Sequence, residues 1–114
     1  MKEFILNFPQ QFKEGLKLAE NIDIRGKYSN IVVSGMGGSA LPTELINTCY
    51  NLNLTTNRNY KLPDIKTKTL CIFCSYSGNT EECLYAYKEA IKRNIDSICI
   101  TSGGCIFNYC KNFI

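Results

Sequence analysis

Two turns rich in glycine and hydroxyl residues carry the groups of this chain that can bind a ligand. They are residues 35–42 (GMGGSALP) and 75–82 (SYSGNTEE), and each follows a short apolar run and leads into a segment with helical composition. Glycines let backbone N–H groups approach a ligand, and the positive end of a helix dipole attracts an anion. The second turn adds the hydroxyls of Ser75, Ser77 and Thr80. This pattern predicts a site for the phosphate group of a small molecule.

The strength of such a site follows from its hydrogen bonds. Each hydrogen bond to a charged phosphate is worth about 1.5–3 kcal/mol. Three of them, with helix N–H groups, give millimolar to micromolar binding without any Lys or Arg. The alternative for the second turn is an ordinary connection in which Asn79 or Thr80 caps the following helix. The alternative for the first turn is a tight strand–helix connection without a ligand.

The first turn also fits the dinucleotide-binding pattern G-x-G-x-x-G/A. That pattern calls for an acidic residue about 20 positions further on, at the end of the second strand. Residues 54–60 contain no Asp or Glu, although Arg58 is suited to a 2′-phosphate. A Walker loop is excluded, because Gly38 and Ser39 stand where it requires Gly-Lys-Ser/Thr.

Seven cysteines raise the questions of disulfides and of metal binding. The count is odd and the amino terminus does not resemble a secretion signal, so a disulfide framework is not expected. Cys71 and Cys74 have the spacing of a zinc knuckle, but they lie in an apolar strand-like run without a second such pair, and the chain has no histidine. We interpret them as buried free thiols and expect no metal.

Length and charge exclude several classes of protein. The chain has 114 residues, enough for one small domain, and its net charge of +3 comes from Lys and Arg scattered among acids. A nucleic-acid surface is therefore not expected. No apolar stretch approaches the ~20 residues of a membrane span, so we expect a cytoplasmic protein.

Strand and helix patterns alternate along the chain, which predicts a doubly wound parallel α/β fold. The capping residues expected are Ser39 for the second helix and a left-handed Asn94 for the third. The predicted strands are residues 31–34, 54–60, 69–74 and 97–101, and the predicted helices are residues 9–22, 39–50, 79–93 and 105–112.

Three motifs in order resemble the sugar isomerase (SIS) domain: residues 35–42, residues 75–82 and residues 100–104 (ITSGG). More narrowly, they are similar to the amino-terminal half of the bifunctional phosphoglucose/phosphomannose isomerases. Residues 8–10 (FPQ) and 60–63 (YKLP) fit the same layout.

The resemblance implies a flavodoxin-like sheet of five parallel strands in the order 2-1-3-4-5, with two such domains per subunit, paired as homodimers. It implies that Gly38 and Ser39 contact the sugar or its phosphate, and that Ser75, Ser77 and Thr80 hold the phosphate. The implied reaction interconverts glucose 6-phosphate or mannose 6-phosphate with fructose 6-phosphate through a cis-enediol, without metal or organic cofactor.

The chain also departs from the family pattern. The family's base Glu, its ring-opening His, a Lys and a phosphate-binding Arg lie after the matched region, and this chain has no histidine. We therefore expect residues 1–114 to be one SIS domain, incomplete at its carboxyl terminus, with strand order 2-1-3-4 and no fifth strand. Such a chain binds a phosphosugar without catalysing its reaction. The alternative is a non-catalytic phosphosugar-binding SIS module, as in some transcriptional regulators.

The predicted fourth strand, residues 97–101, is apolar and would form an open sheet edge. Open apolar edges pair with other strands. We therefore expect marginal stability, and either self-association or pairing with a second SIS domain.

Overall fold

A single parallel sheet organises residues 1–110, the part of the chain that the computed structural model describes. Its strands lie in the order β2-β1-β3-β4, and every neighbouring pair is parallel, as predicted. The strands are β1 (Asn30–Gly35), β2 (Leu54–Asn57), β3 (Thr69–Cys74) and β4 (Asp96–Ile100). The helices are α1 (Lys2–Leu6), α2 (Phe8–Ala19), α3 (Leu41–Tyr50), α4 (Glu81–Lys92) and α5 (Gly104–Tyr109), with a 3₁₀ turn at Gly37–Ser39.

The core lies where α4 covers the two central strands. Val32 of β1 and Phe73 of β3 are fully buried, and Ala86 and Ala90 of α4 are small enough to let the helix lie close to them. The ring of Phe73 meets the ring of Tyr87 edge to face, with centroids 5.4 Å apart. Central parallel strands are covered on both faces, which is why their apolar runs were readable in the sequence.

The parallel register aligns the carboxyl ends of three strands. Gly35 of β1 pairs with Cys74 of β3, and Cys74 pairs with Ile100 of β4. The turns that follow these strands therefore begin side by side at one edge of the sheet.

The end of α4 follows the predicted signal. Asn94 adopts a left-handed conformation with φ of 54°. Its N–H donates to the Ile91 carbonyl (3.1 Å), and the Ile95 N–H donates to the Ala90 carbonyl (2.9 Å). These two bonds form a Schellman motif, which satisfies carbonyls at the helix terminus and turns the chain into β4.

Ser39 does not cap α3, so that prediction is wrong. Gly37 has φ of +53°, and a 3₁₀ turn forms there through bonds from Ser39 N–H to the Met36 carbonyl and from Ala40 N–H to the Gly37 carbonyl, both 3.1 Å. The helix consequently starts two residues later, with Ala40 as its N-cap residue and no side-chain cap.

Other boundaries differ from the sequence prediction by a few residues. The second strand ends at Asn57 rather than at residue 60, because the Asn57 amide donates to the Asn59 carbonyl (3.2 Å) and turns the chain away from the sheet. Residues 111 and 112 of the predicted last helix lie outside the described residues.

The helical spacing predicted near the amino terminus is confirmed in α2, but its apolar side chains are not buried within residues 1–110. No residue of α1 or α2 is buried. The rings of Phe8 and Phe12 pack edge to face on one another, 5.1 Å apart, and both remain exposed. None of the described helices combines the length and the apolar character that crossing a membrane requires.

None of the seven cysteines forms a disulfide. Cys49 and Cys105 are exposed, Cys74 is half-buried, and the other four are buried. Burial raises the pKa of Cys71 and of Cys74 to about 11, and the pKa of Cys83 to about 12. Within residues 1–110, no cluster of His, Cys, Asp and Glu side chains is suited to a metal ion.

This division predicts selective alkylation by iodoacetamide at about pH 8. The thiolate is the reactive form, so a thiol whose pKa lies far above the pH stays protonated and reacts slowly. We expect Cys49 and Cys105, which are exposed, to be modified first, with Cys71 and Cys83 protected until the chain unfolds. Peptide mass spectrometry measures each rate, and labelling in denaturant is the control. Native labelling of Cys83 as fast as that of Cys105 would contradict the packing described.

Candidate functional site

The turns after β1, β3 and β4 form the candidate site. In an open α/β sheet, ligands bind outside the carboxyl ends of the strands, where the strand order reverses. The order β2-β1-β3-β4 reverses between β1 and β3. The turns following these two strands are the ones that carry the glycines and hydroxyls, so the sequence motifs lie at the position that the fold favours.

The two ends of the second turn are joined by their hydroxyls. A hydrogen bond of 2.9 Å connects Ser75 Oγ and Thr80 Oγ1, and the Gly78 N–H donates to Ser75 Oγ (3.1 Å). Ser75 is only 2% exposed, whereas Thr80 is half-buried. The Ser–Thr pair has two hydroxyl protons and its mutual bond uses one, so one proton remains to be donated to a ligand.

Ser77 differs from Ser75 in facing solvent. Its Oγ accepts the N–H of Asn79 at 3.2 Å, which holds the side chain beside the turn. Because that bond uses only a lone pair, the hydroxyl proton of Ser77 is available to a ligand.

The amino terminus of α4 begins directly after these hydroxyls. Thr80 is the N-cap residue but makes no side-chain cap bond, because its hydroxyl is bonded to Ser75. The first helical bond comes from the Leu84 N–H to the Thr80 carbonyl at 3.0 Å. The N–H groups of residues 81–83 therefore have no intrahelical acceptor and can be satisfied by an anion.

Two carboxylates, those of Glu81 and Glu82, also lie in the first turn of α4. The Tyr60 hydroxyl donates to Glu81 Oε2 at 3.3 Å. The charge of Glu82 is the main cause that raises the pKa of Tyr60, and desolvation and Glu81 act in the same direction. The acids thus stabilise the helix terminus and bond a neighbouring loop.

The third turn packs against the second one backbone to backbone. Gly78 has φ of +70°, and a Cβ on it would lie 1.7 Å from the Gly103 carbonyl oxygen. A Cβ on Gly104 would lie 2.2 Å from the Ser77 carbonyl oxygen. Only glycine permits this approach at either position.

Hydrogen bonds from α5 complete this contact. The Ile106 N–H donates to the Gly78 carbonyl (3.0 Å), and the Cys105 N–H donates to Asn79 Oδ1 (2.9 Å). Asn79 therefore caps α5 from a distance and not α4. Of the two residues considered from the sequence as caps of α4, only Thr80 occupies the N-cap position, without a side-chain bond. The sequence around Asn79 gives no signal of its bond to Cys105. The Gly103-Gly104 pair is the one local feature that is typical of a close approach between two backbones.

The first turn is adjacent but separate. Gly38 is exposed and Ser39 is half-buried, and in the described part of the chain no hydrogen bond joins either residue to the second turn. The base of this turn is nevertheless tight, since a Cβ on Gly35 would lie 3.0 Å from the Ser39 carbonyl oxygen and 3.3 Å from that of Cys74.

A buried polar pair at the ends of β1 and β2 was missed by sequence reasoning. Asn57 is 6% exposed, and its Nδ2 donates to Ser34 Oγ at 3.1 Å. This bond fixes the edge strand β2 beside the start of the first turn. An asparagine that ends a polar strand gives no signal in the sequence that distinguishes it from a surface residue.

Replacing Gly78 by alanine tests the contact between the second and third turns. The new methyl group must displace the 103–104 backbone and adopt a strained φ, so we expect a loss of about 3 kcal/mol or more in the free energy of unfolding. Gly15→Ala is the matched control, because a Cβ at Gly15 meets no atom within 4 Å and alanine favours the helix by about 0.5–1 kcal/mol. Urea unfolding monitored by circular dichroism measures both. Equal stability of the two variants would contradict the packing.

No family model matches the chain. Curated relatives do match it. It is 38% identical over 112 residues to the bifunctional phosphoglucose/phosphomannose isomerase of Caldicellulosiruptor bescii, with 91% of this chain and 33% of the relative covered. It is 35% identical over 105 residues to the D-glucosamine-6-phosphate 4-epimerase of Sulfolobus acidocaldarius, with 86% of this chain and 33% of the relative covered. The chain thus spans about a third of the length of these relatives.

The fold has a solved counterpart in the tagatose-6-phosphate ketose/aldose isomerase of Escherichia coli. The TM-score is 0.53 at 19% identity, and the match covers 99% of this chain and 34% of the other. The sheet order, the turn motifs and these matches agree with one another. The chain is therefore a homologue of the bifunctional phosphoglucose/phosphomannose isomerases, with the fold of the phosphosugar (SIS-domain) isomerases.

Proposed function

We propose that the chain binds a phosphorylated hexose at the carboxyl edge of its sheet. It would do so as the phosphate-binding part of an isomerase that interconverts glucose 6-phosphate or mannose 6-phosphate with fructose 6-phosphate. The observation that carries the proposal is the second turn, where free hydroxyl protons and the unpaired N–H groups of α4 meet at one point. The names of the relatives support the choice of a sugar phosphate.

The phosphate would lie over the amino terminus of α4. Ser77 and Thr80 would donate their hydroxyl protons to it, together with the N–H groups of residues 81–83. Ser75 would act mainly by orienting Thr80, because it is buried and bonded to it. Gly38 and Ser39, on the adjacent turn, would meet the sugar or its phosphate from the other side.

Isomerisation requires more than this edge offers. Moving a proton between C1 and C2 of an open-chain sugar needs a base near these carbons and an acid that assists ring opening. The carboxylates nearest the proposed phosphate are Glu81 and Glu82, and a dianionic phosphate beside them disfavours their use as a base. We infer that these catalytic groups come from a second SIS domain or another chain.

The second candidate function is phosphosugar binding without turnover. It is favoured by the absence of histidine from the sequence and by a site whose groups bind but do not abstract protons. For either function we infer a cytoplasmic setting, where sugar phosphates occur and free thiols stay reduced.

Removing the hydroxyls tests the binding site. We expect fructose 6-phosphate to bind the 114-residue chain, and Ser77→Ala and Thr80→Ala each to weaken binding about tenfold, because each loses a hydrogen bond to a charged group. Thr80→Ser restores the hydroxyl and should restore binding. Ser97→Ala is the control, since that hydroxyl donates to the Ile95 carbonyl far from the turn. Calorimetric titration measures the affinities.

Unchanged affinity in the Ser77 and Thr80 variants would contradict the site. A parallel assay for glucose 6-phosphate tests the inference about the catalytic groups. Binding without turnover is the expected result, whereas turnover by the pure chain would contradict the inference that these groups come from a second SIS domain or another chain.

A further inference from the structure

A cleft on the outer face of α4 is lined mainly by positively charged residues. It lies between this helix and the segment after β2, and its volume is about 450 Å³. Four cations and one carboxylate line it, a net charge of +3, together with one tyrosine. The residues are Lys61, Tyr85, Lys88, Glu89, Lys92 and Arg93.

The one carboxylate of the cleft is used to hold its walls together. Glu89 Oε2 accepts the N–H of Leu62 at 2.9 Å, and Glu89 Oε1 accepts from Arg93 Nη1 at 3.3 Å. The first bond attaches the segment that carries Lys61 to the helix, and the second orients the guanidinium. Both oxygens are therefore occupied, and one of the positive charges is compensated.

The three lysines are not compensated. Among residues 1–110, none of Lys61, Lys88 and Lys92 has a carboxylate oxygen within 4.0 Å. Lys88 lies over the ring of Tyr109, 5.8 Å from its centroid, a contact that leaves its charge intact. Lys88 and Lys92 are also four residues apart on one helix, where like charges repel. A concave surface concentrates the potential of such charges.

We propose that this cleft binds a small polyvalent anion that carries two or more phosphate groups. Three uncompensated ammonium groups around one concavity match several negative charges better than a single phosphate. The cations elsewhere alternate with acids, as in Lys2-Glu3 and Lys13-Glu14, so no basic stripe extends the cleft into a nucleic-acid surface. The lysines of the cleft that lie on α4 are away from the proposed hexose-phosphate site, because Lys88 and Lys92 lie roughly 10 Å and roughly 16 Å along the helix from Glu81.

The test is calorimetric titration of the full 114-residue chain with inorganic tripolyphosphate. We expect saturable 1:1 binding that the double substitution Lys88→Gln, Lys92→Gln weakens about tenfold. Lys13→Gln removes one charge from exposed α2 and should leave the affinity unchanged. Tripolyphosphate binding that is unchanged by the double substitution would overturn the proposal. Loss of that binding in Ser77→Ala would then assign it to the hexose-phosphate site instead.

The substitution Glu89→Gln should change the affinity for tripolyphosphate in the opposite direction. Glutamine retains an acceptor for the Leu62 N–H but removes the negative charge, so tripolyphosphate should bind a few-fold more tightly. Weaker binding with unchanged thermal stability would contradict the charge argument. A short single-stranded oligonucleotide is the second probe. If it binds through Lys88 and Lys92 and tripolyphosphate does not, the cleft is a nucleic-acid surface and the proposal is wrong.

Discussion

The contact between the second and third turns is the constraint on which the candidate site depends. At Gly78 and Gly104, the backbones approach to distances that no side chain permits. This approach lets the Ile106 N–H reach the Gly78 carbonyl and lets Asn79 reach the start of α5. The backbone of the loop before α4 is thereby held in place by the third turn and α5.

Polar pairs between neighbouring elements fix the rest of this edge. The bond between Ser75 and Thr80 closes the second turn, and the bond between Asn57 and Ser34 secures the end of β2. Buried polar groups without partners are costly, and the described residues leave no buried side-chain N or O atom without a hydrogen bond. These internal bonds leave three groups available to a ligand: the Ser77 hydroxyl, one hydroxyl proton of the Ser75–Thr80 pair, and the N–H groups in the first turn of α4.

The sequence predicted the elements whose signals are local. The apolar runs of β1 and β3 indicated central strands, and Asn94 indicated the end of α4, because burial and left-handed φ select particular residue types. It did not predict that Asn79 caps α5 or that Asn57 bonds Ser34, because both partners are 23 or more positions away. The prediction that Ser39 caps α3 was wrong because Gly37 allows a 3₁₀ turn to form before the helix.

Likewise, helical periodicity predicted α2 but not the exposure of its apolar side chains within the described residues, since the spacing of residues does not say what covers them. The candidate site was predictable only in part. Its residue types and its place at the strand ends were readable from the chain. That Ser75 is buried and Ser77 is exposed could be seen only in the folded structure.

The proposed site requires that the amino terminus of α4 hold an anionic ligand. The most direct measurement is an amide ¹H–¹⁵N NMR titration of the whole chain with fructose 6-phosphate. We expect saturable shifts that are largest for Ser77, Gly78 and residues 81–83, because their N–H groups or those of their neighbours meet the phosphate. Saturable shifts confined to other parts of the molecule, with these amides unmoved, would contradict the proposed site.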